Sequence, residues 1–150
     1  RLVYGLDKSG NYSILHHAFV CGPGRTTPIG TFRTPFKAAW HPLQGCWGQY
    51  CTQITGNYLF HSSPYNSPNK NDLSYRLYNQ LGTVCSHGCV RLTVADAKWI
   101  YDNCPLGTTV SIYNASSLPV PKPSAPWLDI SSPNRGWDPT DPDPANPWNK

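Results

Sequence analysis

The segment SHGCVRL (residues 86–92) decides the interpretation of this chain. It places a thiol beside a histidine and a glycine, ahead of a segment that we expect to be helical. A helix start leaves backbone N–H groups unpaired and carries partial positive charge, which lowers the pKa of a nearby cysteine. Glycine lets backbone amides approach the group that a sulfur attacks. These features make Cys89 a candidate nucleophile.

A second histidine, His61, lies upstream in the segment FHSSPY (residues 60–65), after an apolar run and before a proline turn. A cysteine, a base and a group that orients the base are the parts of an acyl-transfer site. We expect His61 to act as the base, oriented through its other ring nitrogen by Ser62 or a backbone carbonyl. His87 is the rival base, because it is the closer histidine in sequence.

Two other interpretations of these residues stay open at this point. A lone cysteine is more often a small buried hydrophobic residue or half of a disulfide than a catalyst. Cys85, His87 and Cys89 together with His61 also form a possible metal cluster. Ligands separated by a single residue are not typical of zinc loops, so the spacing argues against a metal site.

The segments SHGCVRL (residues 86–92) and FHSSPY (residues 60–65) resemble the signature of the L,D-transpeptidase (YkuD-type) catalytic domain. GRTTPIGTF (residues 24–32) is similar to the Thr-Pro-x-Gly-x-aromatic segment of that family. AKWIYD (residues 97–102) is similar to the helix that follows its catalytic motif. The resemblance runs in order from Arg1 to Tyr113 and implies Cys89 as nucleophile and His61 as base. It also implies that His87 and Gly88 shape the oxyanion site. We further expect Arg91, Tyr65 and Ser86 to belong to the oxyanion and substrate-binding site.

The resemblance implies cysteine-dependent acyl transfer on peptidoglycan stem peptides. The bond between the third residue, an L-centre, and the terminal D-Ala would be cut through a thioester, and 3→3 cross-links would form. Water as the acceptor would make the protein an L,D-carboxypeptidase, and a catalytically silent wall-binding module is a further alternative. Carbapenem-type inhibitors are expected to bind. We expect no cofactor, no metal and no stable protein partner.

Composition restricts the function further. The 150 residues fit one domain, and the net charge of +4 comes from scattered basic residues, which argues against nucleic acid as a partner. The chain contains no glutamate, which excludes HExxH metalloproteases and argues against carboxylate-pair glycosidases. It also contains no methionine and no apolar run of about 18 residues. We expect a removed secretion signal or membrane anchor, and the resemblance implies the outer face of a bacterial membrane and the cell wall.

Six cysteines raise the question of disulfides. If Cys89 is reserved for chemistry, five remain, so at least one more is free or pairs externally. Cys46 and Cys51 bracket a plausible closed turn, and Cys85 with Cys104 is a second possible pair. Connectivity does not follow from sequence, so both pairings are hypotheses.

The sequence pattern predicts a mainly β, β-sandwich-like domain with one or two short helices. A hairpin is expected within residues 1–20, strands over 31–39, 53–61 and 108–113, and a helix over about 94–103. The predicted cap of that helix is Thr93. Asp72 is expected to cap another short helix, with Leu73, Leu77 and Leu81 on one face and Gly82 at its end.

The chain changes character after Asn114. Prolines are dense and prevent regular helix or sheet, so we divide the chain into a catalytic domain (1–114) and a Pro/Trp-rich tail (115–150). Because Trp127 and Trp137 would be unfavourable in water, part of the tail is expected to pack on the domain. The Asp-Pro pairs of the tail lack the glycine and glutamate of a known calcium loop.

Overall fold

The computed structural model describes the backbone of residues 2–6 and the whole of residues 15–117 and 121–150. It is mainly β, with two short α-helices. In chain order the elements are β1 (Leu2–Leu6), β2 (Leu15–Val20), β3 (Gly30–Arg33), β4 (Lys37–Leu43), β5 (Cys46–Thr55), β6 (Tyr58–Ser62), α1 (Tyr75–Tyr78), β7 (Val90–Leu92), α2 (Val94–Asn103), β8 (Thr109–Ile112) and a 3-10 turn (Pro147–Asn149). No helix in the described ranges is long and apolar enough to cross a membrane.

The largest sheet has the order β4-β5-β6-β7. Its first three strands are antiparallel neighbours, whereas β6 and β7 are parallel. Two smaller antiparallel pairs, β1-β2 and β3-β8, accompany it. Beyond the end of β2, Gly22 pairs with Arg91 of β7 through two backbone hydrogen bonds of 2.8 and 3.0 Å. This bridge ties the β1-β2 pair to the strand that follows Cys89.

The core has two parts, and α2 contributes to both. One part joins the sheet to α2 and contains Phe19, Cys21, Ile54, Phe60, Val90, Leu92, Ala97 and Ile100. The other contains Tyr65, Leu73, Tyr78, Val94 and Leu128, and the last of these belongs to the tail. Burial of these apolar side chains fixes α2 against β6, the strand that carries His61.

The tail supplies part of the cap of α2. The side chain of Thr93 accepts the Asp96 N–H at 3.2 Å, as the sequence predicts. Asp138 Oδ2 accepts the Val94 N–H at 2.9 Å, and Thr140 Oγ1 accepts the Ala95 N–H at 3.1 Å. Three backbone donors that a helix start leaves unpaired are therefore satisfied, two of them by residues more than 40 positions away.

Several other contacts hold the tail. Leu128 and Asn146 are fully buried, and Lys70 forms an ion pair of 2.6 Å with Asp143. Trp137 is half-buried, whereas Trp127 is 78% exposed. Part of the tail therefore lies against the domain, and Trp137 belongs to that part, whereas most of the Trp127 side chain is exposed to solvent.

The predicted helix over 94–103 and the predicted strand over 108–113 are confirmed by α2 and β8. The strands predicted over 31–39 and 53–61 are wrong in extent, because each is divided between two strands. The first is interrupted at residues 34–36, which include a proline, and the second at the turn of Gly56 and Asn57. β1 pairs with β2 as the hairpin prediction requires, while its turn lies outside the described residues.

The first helix is shorter than predicted and is capped differently. α1 covers only four residues and begins after Ser74. Asp72 does not cap it, because its carboxylate accepts hydrogen bonds from Asn66 Nδ2 at 2.9 Å and Ser67 Oγ at 2.6 Å. Asp72 thus stabilises the turn before the helix.

Candidate active site

Cys89 lies directly before a strand, so the prediction that it lies at a helix start is wrong. β7 follows it, and α2 begins only at Val94. In the parallel pairing of β6 and β7, His61 lies opposite Arg91. Because side chains alternate along an extended chain, Cys89, two residues before Arg91, is directed to the same face as His61. Both line one cleft of about 590 Å³.

Two backbone groups hold the Cys89 sulfur. The thiol donates to the Asn57 carbonyl oxygen at 3.5 Å, and the Leu59 backbone N–H donates to the sulfur. Burial raises the pKa of the thiol, and the Leu59 hydrogen bond and the charge of Arg91 oppose this effect. The net direction is upward, so the unliganded protein holds a protonated thiol and requires a base to activate it.

The His61 side chain is buried and held in one orientation. Its Nδ1 lies 2.5 Å from the Ser62 carbonyl oxygen. A carbonyl only accepts, so Nδ1 carries the proton and Nε2 is the basic nitrogen. Burial lowers the pKa of His61 to about 4; the Ser62 carbonyl opposes this effect, and the charges of Arg91 and His41 add to it. The imidazole is therefore neutral at pH 7.

Ser62 orients His61 through its backbone and not through its hydroxyl. The hydroxyl accepts the Gln49 N–H at 2.9 Å and donates to the Ser63 carbonyl at 2.9 Å. The Ser62 hydroxyl therefore connects β5 to β6 at the residue next to His61. In the described part of the chain, the hydrogen bonds of the Cys89 sulfur go to the backbone of residues 57 and 59 and not to His61.

The turn of residues 24–27 holds the backbone of His87 and Gly88. The N–H and hydroxyl of Thr26 donate to the His87 carbonyl at 3.0 and 2.7 Å. Thr27 Oγ1 donates to the Gly88 carbonyl at 2.7 Å. Since C=O and N–H point in opposite directions across a trans peptide, the N–H groups of Gly88 and Cys89 are directed away from this turn. The turn therefore fixes the orientation of both N–H groups.

Two glycines allow the turn of residues 24–27 to pack closely against the backbone before Cys89. A Cβ at Gly24 would lie 2.1 Å from the Gly88 nitrogen, and a Cβ at Gly88 would lie 2.3 Å from the Tyr58 ring. A side chain at either position would displace the backbone beside the nucleophile. Sequence reasoning identified the 24–32 segment but missed the role of Thr26 and Thr27, for which the only signal was their place in that segment.

Arg91 and Ser86 also line the cleft, and each is engaged with the loop that precedes β7. Arg91 Nη1 donates to the Cys85 carbonyl at 2.6 Å, while its charge acts on both Cys89 and His61. Ser86 Oγ donates to the Cys89 carbonyl and closes the turn before the nucleophile. His87 lies in the cleft lining and is exposed.

Tyr65 does not line the cleft. Its side chain is fully buried in the second part of the core, with its ring edge against Trp40 at 5.1 Å between centroids. Its backbone forms two hydrogen bonds with Trp47, which extend the pairing of β5 beyond Ser62. The assignment of Tyr65 to substrate binding is therefore corrected to a packing role, because a side chain without exposed surface cannot reach a ligand.

Sequence reasoning also missed the wall that β4 and β5 contribute to the cleft. His41 of β4 lies there beside Phe36, the residue directly before β4, with ring centroids 5.7 Å apart. The described lining includes the cationic side chain of Arg91 but no carboxylate. The cleft is thus suited to a ligand that carries negative charge.

All six cysteines are free thiols, so neither predicted disulfide is present. Cys46 lines the cleft, whereas the buried Cys51 sulfur accepts the His41 backbone N–H. Cys85 packs closely against Gly22. Cys104 packs against the first part of the core, so the sulfurs of each proposed pair have separate environments.

Comparison with known proteins finds a matching family. The family model of the YkuD L,D-transpeptidase catalytic domain matches residues 2–112. The putative L,D-transpeptidase YciB of Bacillus subtilis is 39% identical over 93 residues, which is 57% of this chain and 46% of the relative. The chain therefore spans less than half the length of this curated relative.

Two solved structures show the same fold. The L,D-transpeptidase of Xylanimonas cellulosilytica has a TM-score of 0.56 at 20% identity, over 75% of this chain and 55% of that one. LdtMt1, an L,D-transpeptidase solved in complex with imipenem, has a TM-score of 0.52 at 21% identity, over 68% of this chain and 51% of the other.

Proposed function

Since the chain belongs to the YkuD family of L,D-transpeptidase catalytic domains, we propose that it transfers the acyl group of peptidoglycan stem peptides through a thioester on Cys89. The bond cut joins the third residue to D-Ala at position four, and the product is a 3→3 cross-link. Such substrates lie in the cell wall, outside the cytoplasmic membrane. The observation that carries the proposal is the pairing of β6 with β7, which directs Cys89 and the neutral, buried His61 into one cleft.

In the first half of the reaction, His61 Nε2 accepts the thiol proton as the sulfur attacks the carbonyl carbon of the third residue. The positive charge that forms on the ring is stabilised by the Ser62 carbonyl at Nδ1. The N–H groups of Gly88 and Cys89 stabilise the oxyanion. His61 then donates its proton to the leaving amine of D-Ala, and the thioester remains.

The second half reverses these roles. The side-chain amine of a neighbouring stem peptide attacks the thioester carbon, and His61 takes a proton from that amine. The new amide forms as the C–S bond breaks, and the proton returns to the Cys89 sulfur. A water molecule in place of the amine would give a free carboxylate and carboxypeptidase activity.

The negative charge of the donor suits the cleft. A tetrapeptide donor ends in the carboxylate of D-Ala, and the described lining offers Arg91 and His41 without a competing carboxylate. Arg91 uses Nη1 to donate to the Cys85 carbonyl, and the guanidinium has further N–H donors for a carboxylate.

Muropeptide analysis tests the proposal. Purified disaccharide-tetrapeptide is incubated with the protein, and the products are separated and weighed by mass spectrometry. We expect 3→3 dimers and free D-Ala, both lost in Cys89→Ala and retained in Cys104→Ala, a matched change of a thiol outside the cleft lining. Release of D-Ala without dimers would show that water is the acceptor. An unchanged tetrapeptide would overturn the proposal.

A further inference from the structure

A second cavity, of about 300 Å³, lies between the tail and the loop after α1. Its described lining shares no residue with that of the Cys89 cleft. Its lining includes the apolar side chains of Val20, Leu81, Pro126 and Trp127 and the polar side chains of Lys122 and Ser124.

The side chain of Trp127 is exposed to solvent, whereas the residues on either side of it, Pro126 and Leu128, are restricted in position. Its exposure of 78% is the highest among the large hydrophobic side chains of the described residues. On its C-terminal side, the Leu128 N–H donates to Asn79 Oδ1 at 3.0 Å, and Asn79 Nδ2 donates to the Leu128 carbonyl at 2.8 Å. Leu128 itself is fully buried, and the ring of Pro126 restricts the backbone on the other side. The indole is therefore held outward by an anchored segment.

The chemistry of the cavity fits an N-acetylated amino sugar. The face of an indole carries negative partial charge and attracts the C–H groups on the apolar face of a sugar ring. Val20 and Leu81 offer apolar surface for an acetamide methyl group. Lys122 Nζ donates to the Gly82 carbonyl at 3.4 Å, which leaves further N–H donors for sugar or acetamide oxygens.

The size of the cavity favours a small repeating unit over a protein partner. A stable protein interface buries about 800 Å² on each side, with a cluster of anchoring side chains. Here one indole projects beside a cavity at the lower limit of the volumes that small ligands occupy, about 300 Å³.

We propose that this cavity binds N-acetylated amino-sugar units of the peptidoglycan glycan strand, with the Trp127 indole stacked on a sugar ring. The choice of this polymer rests on the proposed function, since the same polymer carries the stem peptides. The site lies apart from the catalytic cleft and would retain the enzyme on the polymer between acyl transfers.

Isothermal titration with a β-1,4-linked tetramer of N-acetylglucosamine tests this site. The titration uses the Cys89→Ala chain, so its outcome does not depend on catalysis. We expect saturable binding, weakened about tenfold by an added Trp127→Ala change, as for the loss of a central aromatic anchor. The matched control is Ile130→Ala, a 49% exposed apolar residue of the tail outside the cavity lining. Thermal unfolding verifies that each variant is folded.

Lys122→Ala gives a second variant that does not depend on the indole, and we expect it to weaken binding several-fold. A tetramer of glucose, which lacks the acetamide groups, is expected to bind more weakly than the N-acetylglucosamine tetramer. The proposal is overturned if the tetramer does not bind, if Trp127→Ala binds it as tightly as the parent, or if Ile130→Ala causes the same loss. It is also overturned if the Trp127 indole is covered by a second copy of the chain, seen as a dimer that Trp127→Ala dissociates.

Discussion

Replacing Gly24 with alanine tests whether the turn of residues 24–27 positions the nucleophile. The new Cβ would lie 2.1 Å from the Gly88 nitrogen and 2.3 Å from the His87 carbonyl carbon. Ordinary van der Waals contact begins at 3.4 Å, so the two backbone segments must separate by about 1.3 Å. Both atoms belong to the main chain, so a side-chain rotation cannot relieve the clash. The backbone N–H groups beside Cys89 therefore move with it.

A displacement of about 1 Å at a catalytic centre reduces the rate about 100-fold, which is about 2.7 kcal/mol in the activation barrier. The accompanying loss in the free energy of unfolding is about 1–3 kcal/mol, as for other overpacked sites. The assay is the first-order rate of thioester formation between Cys89 and imipenem, followed by intact mass.

Gly107→Ala is the matched control for this experiment. Gly107 has a φ of +83°, and no atom lies within 4 Å of the position that a Cβ would occupy, so alanine there adds backbone strain of about 1 kcal/mol without a clash. We expect Gly107→Ala to lower the melting temperature and to leave the acylation rate unchanged. The reasoning is refuted if Gly24→Ala, folded and with a similar melting temperature, is acylated within threefold of the parent rate.

Four further predictions concern the inhibitor, the pH profile of activity, the pH dependence of stability and the tail. Imipenem is expected to add its mass once, on Cys89, and an adduct on any of the other five cysteines, measured by peptide mapping, would mean that a different sulfur is activated. Because the pKa of His61 is lowered to about 4, the acidic limb of kcat/KM should lie well below pH 6.5, and a pH profile with its limb at or above 6.5 would contradict a neutral buried base. For the same reason, the contribution of His61 to stability is present above pH 6.5 and falls as the pH decreases towards 4, because only the unfolded chain binds a proton in that range. Asp138→Ala should lower the free energy of unfolding by about 1–2 kcal/mol, because it removes the acceptor of the Val94 N–H. The control Asp129→Ala changes an exposed carboxylate that accepts hydrogen bonds from Ser131, and it should lower this free energy little. Equal denaturation midpoints for the two variants would show that the tail does not stabilise α2.

Local signals predicted the helix and its first cap from sequence. Thr93 lies three residues before Asp96, and Pro105 and Gly107 follow the predicted end of α2, so the information lies within one segment. The other caps were not predictable in this way. Asp138 and Thr140 reach the same helix from the tail, and no periodicity connects positions so far apart.

The strand that follows Cys89 was likewise not predictable from local sequence. Val90, Arg91 and Leu92 form a strand only because β6 lies beside them, and a segment of three residues carries too little pattern to distinguish a strand from a helix start. The motif still singled out Cys89 and His61, two residues that line the same cleft. Tyr65 was misassigned because the sequence does not show which face of the chain its side chain occupies.

The most direct test of the central claim is the mass of the acyl-enzyme. A tetrapeptide donor is mixed with the protein, the reaction is stopped with acid within one turnover, and the intact protein is weighed. The proposed reaction predicts an increase equal to the donor acyl group without its terminal D-Ala, mapped to Cys89 and absent in Cys89→Ala. A donor that releases D-Ala while the protein mass stays unchanged at every time point, or an acyl group mapped to another residue, would contradict a thioester mechanism at Cys89.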